Sequence, residues 1–179
     1  MLRAASVDLA KRSDALTSIA RTGRSLRALD AKIMGRDFRH RMVPLDYNRL
    51  SELRSAISEA IDSEGPADLL VAWVHDDRGP VPVALCELVS CAERPCRLVH
   101  VMGSAAADPT RSLEETAERL STFAGIAYQP VILGFHADGE GGQSRWLTNA
   151  EIAAGVLEAI DGEASPFVVG QVEPWALRP

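Results

Sequence analysis

The sequence predicts an α/β domain in which helices wind over both faces of a parallel sheet. Three observations carry this expectation. Apolar runs of strand length alternate along the chain with segments whose apolar residues recur at helical spacing. Those runs are apolar on both faces, as strands covered by helices on two sides must be. The length of 179 residues, with 46% hydrophobic and 25% charged, suits one domain with a full core, so residues 1–179 are read as a single unit.

Taken in order, residues 3–13 read as a short helix with small residues on one side. A strand follows over 16–20. Leu26, Leu29 and Ile33 then share one helical face. A strand over 42–45 leads into a second face carrying Leu50, Leu53, Ile57 and Ile61. Strands over 69–74 and 98–102 come next, then a helical face at Leu113, Ala117 and Leu120. After a strand over 131–135, the polar stretch 137–144 reads as a mobile loop or a hairpin tip. Thr148 stands three residues before Glu151 and signals a capping box for a helix bearing Ile152, Val156, Leu157 and Ile160. A strand over 167–169 closes the pattern. The chain thus begins on a helix, whereas an open doubly wound sheet starts from a central strand whose glycine-rich turn feeds the first helix. Neither that strand nor that turn is present.

Composition narrows the partners. The net charge of −6, with no basic cluster, lacks the footprint of a nucleic-acid binder. The longest apolar runs are too short to span a membrane, and residues 1–5 do not open a secretory signal. Three cysteines, Cys86, Cys91 and Cys96, point to reduced thiols and a cytoplasmic setting. Their spacing does not match a zinc knuckle, so no metal site is expected; they read as two residues on a helix and its exit loop, and one before a strand. Only Lys11 and Lys32 are lysines among 19 basic residues.

Segment by segment the chain resembles the short-chain dehydrogenase/reductase family, in an atypical bacterial branch. Met1-Leu2-Arg3 resembles the residues just past that branch's Gly-Gly-Thr-Gly turn. Leu16-Thr17-Ser18-Ile19-Ala20-Arg21 resembles the second strand, and Pro44-Leu45-Asp46-Tyr47 the end of the third. Leu70-Val71-Ala72-Trp73-Val74-His75 stands in place of the Asn-Asn-Ala-Gly segment. Val99-His100-Val101-Met102-Gly103-Ser104 resembles the fifth strand, with Ser104 near the family's catalytic serine. Val131-Ile132-Leu133-Gly134-Phe135 resembles the sixth, and Ser144-Arg145-Trp146-Leu147-Thr148 and Glu173-Pro174-Trp175 fit the same branch. The resemblance implies a Rossmann-like fold, lacking its first strand and glycine-rich turn, in a chain truncated at its amino end or misassigned in its start.

It also implies a nicotinamide cofactor, NADP or NAD, and a small-molecule substrate. Arg21 and Arg24, with Arg27 beyond them, occupy the place where a basic residue accommodates the 2′-phosphate of NADP; the alternative is solvated charge. Asp46 is either an adenine neighbour or a turn residue. Ala72 and Trp73 lie where the cofactor would pass, and Trp73 is either a stacking ring or core. Ser104 is either a substrate-side hydroxyl or a cap. Tyr128 either enters the same crevice or is a buried residue at the start of a strand. His75 and His136 would both reach the ligand side, and Asp138 and Glu140 are either cation ligands or turn residues.

The family's reaction uses a tyrosine with a lysine four residues on, the lysine's charge lowering the tyrosine pKa. Here Tyr47 is followed at that spacing by Ser51 and Tyr128 by Ile132, and both lysines precede both tyrosines. The Tyr-x-x-x-Lys pair is absent. Residues 1–5 hold no glycine with which to cradle a diphosphate. Three readings are open: an NADP(H)-binding oxidoreductase relative with a non-standard active site; a non-catalytic nucleotide-sensing or protein-interaction module; and a truncated chain of poor solubility or forced into a homo-oligomer by an unpaired sheet edge.

Overall fold

The computed structural model describes residues 1–33, 38–75, 79–107, 113–137 and 143–179. Helix and strand alternate along it: α1 (Arg3–Leu9), β1 (Ala15–Ala20), α2 (Gly23–Ile33), β2 (Arg39–Pro44), α3 (Leu50–Glu64), β3 (Leu69–Trp73), α4 (Pro80–Val89), β4 (Cys96–Gly103), α5 (Leu113–Ser121), β5 (Ile126–Leu133), β6 (Phe135–Ala137), β7 (Ser144–Trp146), α6 (Asn149–Asp161) and β8 (Phe167–Val169). All ladders among β1–β5 and β8 are parallel. The expected doubly wound α/β arrangement is the one observed. Among the described residues, no helix is long and apolar enough to cross a membrane.

Both faces of the sheet are covered because alternate strand residues are apolar on both sides. Leu70, Ala72, Cys96 and Leu98 face one core with Leu53, Ala56 and Ile57 of α3 and with Val81 and Leu85 of α4. Leu69, Val71, Val99, Val101 and Val131 face the opposite core, under Ile152 and Val156 of α6. Thr148 caps α6 in a full capping box, its hydroxyl accepting from the Glu151 amide while the Glu151 carboxylate accepts from the Thr148 amide.

The strands do not form one continuous sheet. They fall into a pair, β2–β1, and a group of four in the order β3–β4–β5–β8. Among the described residues no strand lies between β1 and β3, and these two do not pair. Leu53, Ala56 and Ile57 of α3 nonetheless share one cluster with both pieces, which takes in Ile19 and Val43 from one and Leu70 and Ala72 from the other. Helix α1 is divided between the pieces on the opposite face: Leu2 joins the cluster of β3 and α6, while Val7 and Ala10 pack with Leu16, Leu29 and Ile33.

Several elements differ from expectation in extent. Helix α1 ends at Leu9, and the chain leaves it through turns at Ala10–Arg12. Strand β2 starts at Arg39, three residues early, because Arg39 and Arg41 point outward to Glu64 and Glu59 and hide the strand pattern. Strand β5 starts at Ile126; its polar Gln129 is buried because the side-chain amide donates to the Ala159 and Ala164 carbonyls, each at 2.9 Å. Phe135 belongs not to β5 but to an antiparallel hairpin with β7, which favours the hairpin alternative for the polar stretch; residues 138–142, with Asp138 and Glu140, lie outside the described residues. Helix α4 has no amphipathic stripe to find, since Val81, Pro82, Ala84, Leu85, Cys86 and Val89 are buried on nearly all sides.

Candidate cofactor and substrate crevice

Parallel strands end together, and in this architecture the space beyond their carboxyl ends is where ligands collect. The hydroxyl of Tyr47, just past β2, accepts a hydrogen bond from the His75 amide, just past β3, at 3.3 Å. The carboxyl ends of both sheet pieces therefore share one edge.

A crevice of about 350 Å³ opens on that edge, a size usual for a small-molecule site. Its floor is the ends of three strands: Trp73 from β3, Gly103 from β4, and Leu133 with Gly134 from β5. Ser104 and Ala105 continue from Gly103 as a 3-10 turn, Ser104–Ala107. The far wall is Trp146 and Leu147, with Asn149 and Ile152 at the start of α6, and Met1 and Arg178 complete the lining.

Two glycines in this floor have different causes. A Cβ on Gly134 would stand 2.0 Å from the carbonyl oxygen of Gln171, so that glycine is required by the close passage of the two backbones. A Cβ on Gly103 would meet nothing within 4 Å. Packing does not demand a glycine at 103; its missing side chain leaves the crevice open toward β4.

The far wall is fixed by charge. Arg145 makes a bidentate pair with Glu151, at 2.9 and 2.8 Å, and ties the hairpin to the capping box of α6. Those donors, with the Thr148 amide and hydroxyl, hold the Glu151 carboxyl well below the usual carboxylate range. Arg178 lies over the rings of Trp146 and Trp175, 5.3 and 5.0 Å from their centroids. Sequence reasoning missed Arg178 and Trp146 as crevice residues, because their meeting depends on a C-terminal segment folding back across the hairpin. The one available signal was that two of the chain's three tryptophans, Trp146 and Trp175, stand near the C-terminus.

The candidates from sequence fall into two groups. Ser104 is 4% exposed and lines the crevice, as does half-buried Trp73, whose ring meets His75 edge-on at 5.3 Å. Arg21 and Arg24 are exposed at the carboxyl end of β1 and the start of α2. Asp46 sits beyond β2, where its carboxylate accepts from the Asn48 amide at 3.1 Å, the geometry of a turn residue. Ala72 is buried against α3 and α4. Tyr128 is not brought to the crevice. It lies five residues before Leu133 on β5, about 16 Å back along the strand. Its hydroxyl is 3.0 Å from Nδ1 of buried His100, on the α3–α4 side. His75 and His136 do not line the crevice. The cysteines stand as read, Cys86 on α4, Cys91 in the exit turn and Cys96 opening β4; burial pushes the thiols of Cys86 and Cys96 up to about 11.

No family model matches this sequence, and no curated protein does. Solved structures do. A short-chain dehydrogenase from Streptomyces avermitilis superposes with a TM-score of 0.63 at 15% identity, over 94% of this chain and 83% of that one. A blue fluorescent protein from a metagenomic library, in complex with NADPH, superposes with a TM-score of 0.57 at 19% identity, over 97% of this chain and 82% of that one. At such identities the likeness concerns the fold. This chain has a Rossmann-like fold of the kind seen in short-chain dehydrogenases.

Proposed function

We propose that the chain binds a nicotinamide dinucleotide along the carboxyl edge of its sheet and is an oxidoreductase relative with a non-standard active site. The observation that carries this reading is the crevice at the ends of β3, β4 and β5, with an open face at Gly103 beside the hydroxyl of Ser104. The residues present fit one end of such a ligand. Gly103 leaves room for a flat ring against the strand end, Trp73 forms an apolar wall, and Arg21 and Arg24 offer guanidinium groups to a 2′-phosphate, favouring NADP over NAD. Asp46 would border the adenine. The diphosphate has no assigned contact, since residues 1–5 contain no glycine.

The bound nicotinamide would supply hydride chemistry. Ser104 would donate a hydrogen bond to the carbonyl oxygen of a small substrate, and Trp146, Leu147 and Ile152 would keep water from that carbonyl. Tyr128 has no part in this reading, because its hydroxyl is engaged with His100 on the other side of the sheet. The setting we propose is a reduced cytoplasm.

Titration with NADPH tests this. Tryptophan fluorescence should change saturably, since Trp73 and Trp146 both line the crevice. Replacing Arg21 and Arg24 together by alanine should weaken NADPH about 10-fold, the loss of a charge-assisted contact, while leaving NADH unchanged. Absence of binding by either nucleotide defeats the proposal.

A second reading is a nucleotide sensor without turnover. It is favoured by the absent Tyr-x-x-x-Lys pair and by the distance of Tyr128 from Ser104. Saturable NADPH binding with no oxidation across a panel of aldehydes and ketones would select it over the first.

A further inference from the structure

Away from the crevice, three polar side chains meet between the β1–β2 pair and α2. Side chains alternate across a strand, so Ile19 and Val43 turn to the α3 side while Leu16 packs with Leu29 and Ile33 of α2. Ser18 of β1 and His40 of β2 share the face of Leu16, and Asp30 stands over them near the end of α2. The Asp30 carboxylate lies 2.9 Å from Nδ1 of His40, and the Ser18 hydroxyl lies 3.1 Å from Nε2.

Charge sets the direction of both bonds. An ionised carboxylate only accepts, so Nδ1 carries the ring proton and donates it to Asp30. Nε2 then presents a lone pair, and the Ser18 hydroxyl donates to it. In that tautomer an imidazole can take a proton from a hydroxyl. The ring is also held in place: the His40 side chain is 7% exposed and stacks on Phe38, with centroids 6.3 Å apart and planes within 16°.

The serine end of this relay is open. Ser18 is only half-buried. Met42 stands directly across the ladder from it, on the same face, and is 39% exposed although apolar. A backbone donor lies next to the hydroxyl. The Arg39 amide donates to the Asp14 carbonyl and the Leu45 amide to the Ala20 carbonyl, so even-numbered residues here turn their backbone groups to β2. The Ile19 amide, immediately after Ser18, therefore points to the other edge of β1, where no described strand pairs with it.

We propose that Ser18, His40 and Asp30 form an acyl-transfer site that hydrolyses carboxylic esters of short apolar acids. His40 Nε2 takes the hydroxyl proton as Ser18 Oγ bonds to the ester carbonyl carbon, and the Ile19 amide donates to the oxygen that gains charge. The carbon–alkoxide bond then breaks, and the alkoxide leaves as an alcohol with the proton from His40. Water attacks the acyl-serine in the same way: its proton passes to His40 and on to Ser18 Oγ, and the acid is released. Asp30 is a positioning residue that holds the tautomer. Met42 gives the acyl chain an apolar surface. The site lies apart from the crevice and does not rest on the dinucleotide reading.

An alkyl fluorophosphonate tests the assignment, because an activated serine forms an O–P bond to it as fluoride leaves. Peptide mass mapping of the native chain should place the adduct on Ser18, and the urea-unfolded chain should take none. The labelled chain should cleave 4-nitrophenyl butyrate about 100-fold more slowly than the unlabelled one. Asp30→Asn can keep a hydrogen bond to the ring but donates it, which moves the ring proton to Nε2. Labelling of that variant should slow about 100-fold at an unchanged melting temperature, and Asp30→Glu should recover part of the rate. Met42→Ala should lower the preference for butyrate over acetate esters about 5-fold. Absence of an adduct on Ser18 in the native chain would overturn the site, and that measurement needs no variant to fold. Undiminished labelling of Asp30→Asn would reduce the three residues to a structural network and overturn it equally.

Discussion

Strands β4 and β1 have comparable apolar character and opposite fates. Six of the eight residues of β4 are buried, and none of β1 is. The difference is one of neighbours: β4 has a hydrogen-bonded strand on each side, β1 on one side only. Strand composition sets which side chains could be interior; pairing on both edges decides which are. The same contrast separates the two glycines of the crevice floor, one enclosed by backbone and the other facing empty space.

The largest effect expected from this comparison is in the core of β4. Leu98 is fully buried, and Leu98→Ala should cost about 3–4 kcal/mol in urea unfolding, a transfer loss with a cavity added. Leu16 of β1 is half-buried, and Leu16→Ala should cost only about 1 kcal/mol. Equal losses at the two sites would mean that β1 is as enclosed as β4 and would break the comparison.

The glycine pair comes next. Gly134→Ala places a Cβ 2.0 Å from the Gln171 carbonyl, and the two backbones must separate, at about 2–3 kcal/mol. Gly103→Ala meets nothing within 4 Å and should leave stability within about 0.5 kcal/mol. Gly103→Leu should also fold normally, yet fill the crevice and weaken NADPH binding at least ~10-fold. Unchanged binding in Gly103→Leu would remove the crevice from the cofactor site.

How legible these features were in the sequence depends on the range of the interactions involved. The helical faces at Leu26–Leu29–Ile33 and Leu50–Leu53–Ile57 and the Thr148–Glu151 box rest on contacts within a few residues, and pattern alone located them. Strand β5 was found only in its apolar half, because Gln129 is made tolerable by carbonyls some thirty residues away. Ser104 and Trp73 were placed at strand ends and do line the crevice, since a parallel sheet gathers its carboxyl ends whatever the loops do. For Tyr128 the sequence offered the crevice or a place at the start of a strand, and with β5 beginning at Ile126 its hydroxyl meets His100 far from the strand's carboxyl end. Arg178 could not be found at all, its position being set by a fold-back of the C-terminal segment.

The smallest effect concerns the wall that holds Trp146 in place, and it is dependent on pH. Thr148→Ala removes the cap of α6 and should cost about 1 kcal/mol. Glu151 completes the same box and carries the Arg145 pair, and these contacts lower its carboxyl pKa in the folded chain below its ordinary value. A depressed folded pKa means that the unfolded chain binds the proton first. The contribution of Glu151 is therefore fully present above the unfolded pKa, and it is lost as pH falls through the folded one. The difference in melting temperature between the native chain and Glu151→Gln should be constant from pH 7 down to about pH 5 and shrink steadily below that. Because Glu151 is exposed, added salt should weaken the Arg145 part of that difference and spare the hydrogen bonds to Thr148. A difference that stayed flat through acid would show that the carboxylate's charge takes no part in holding the hairpin against α6.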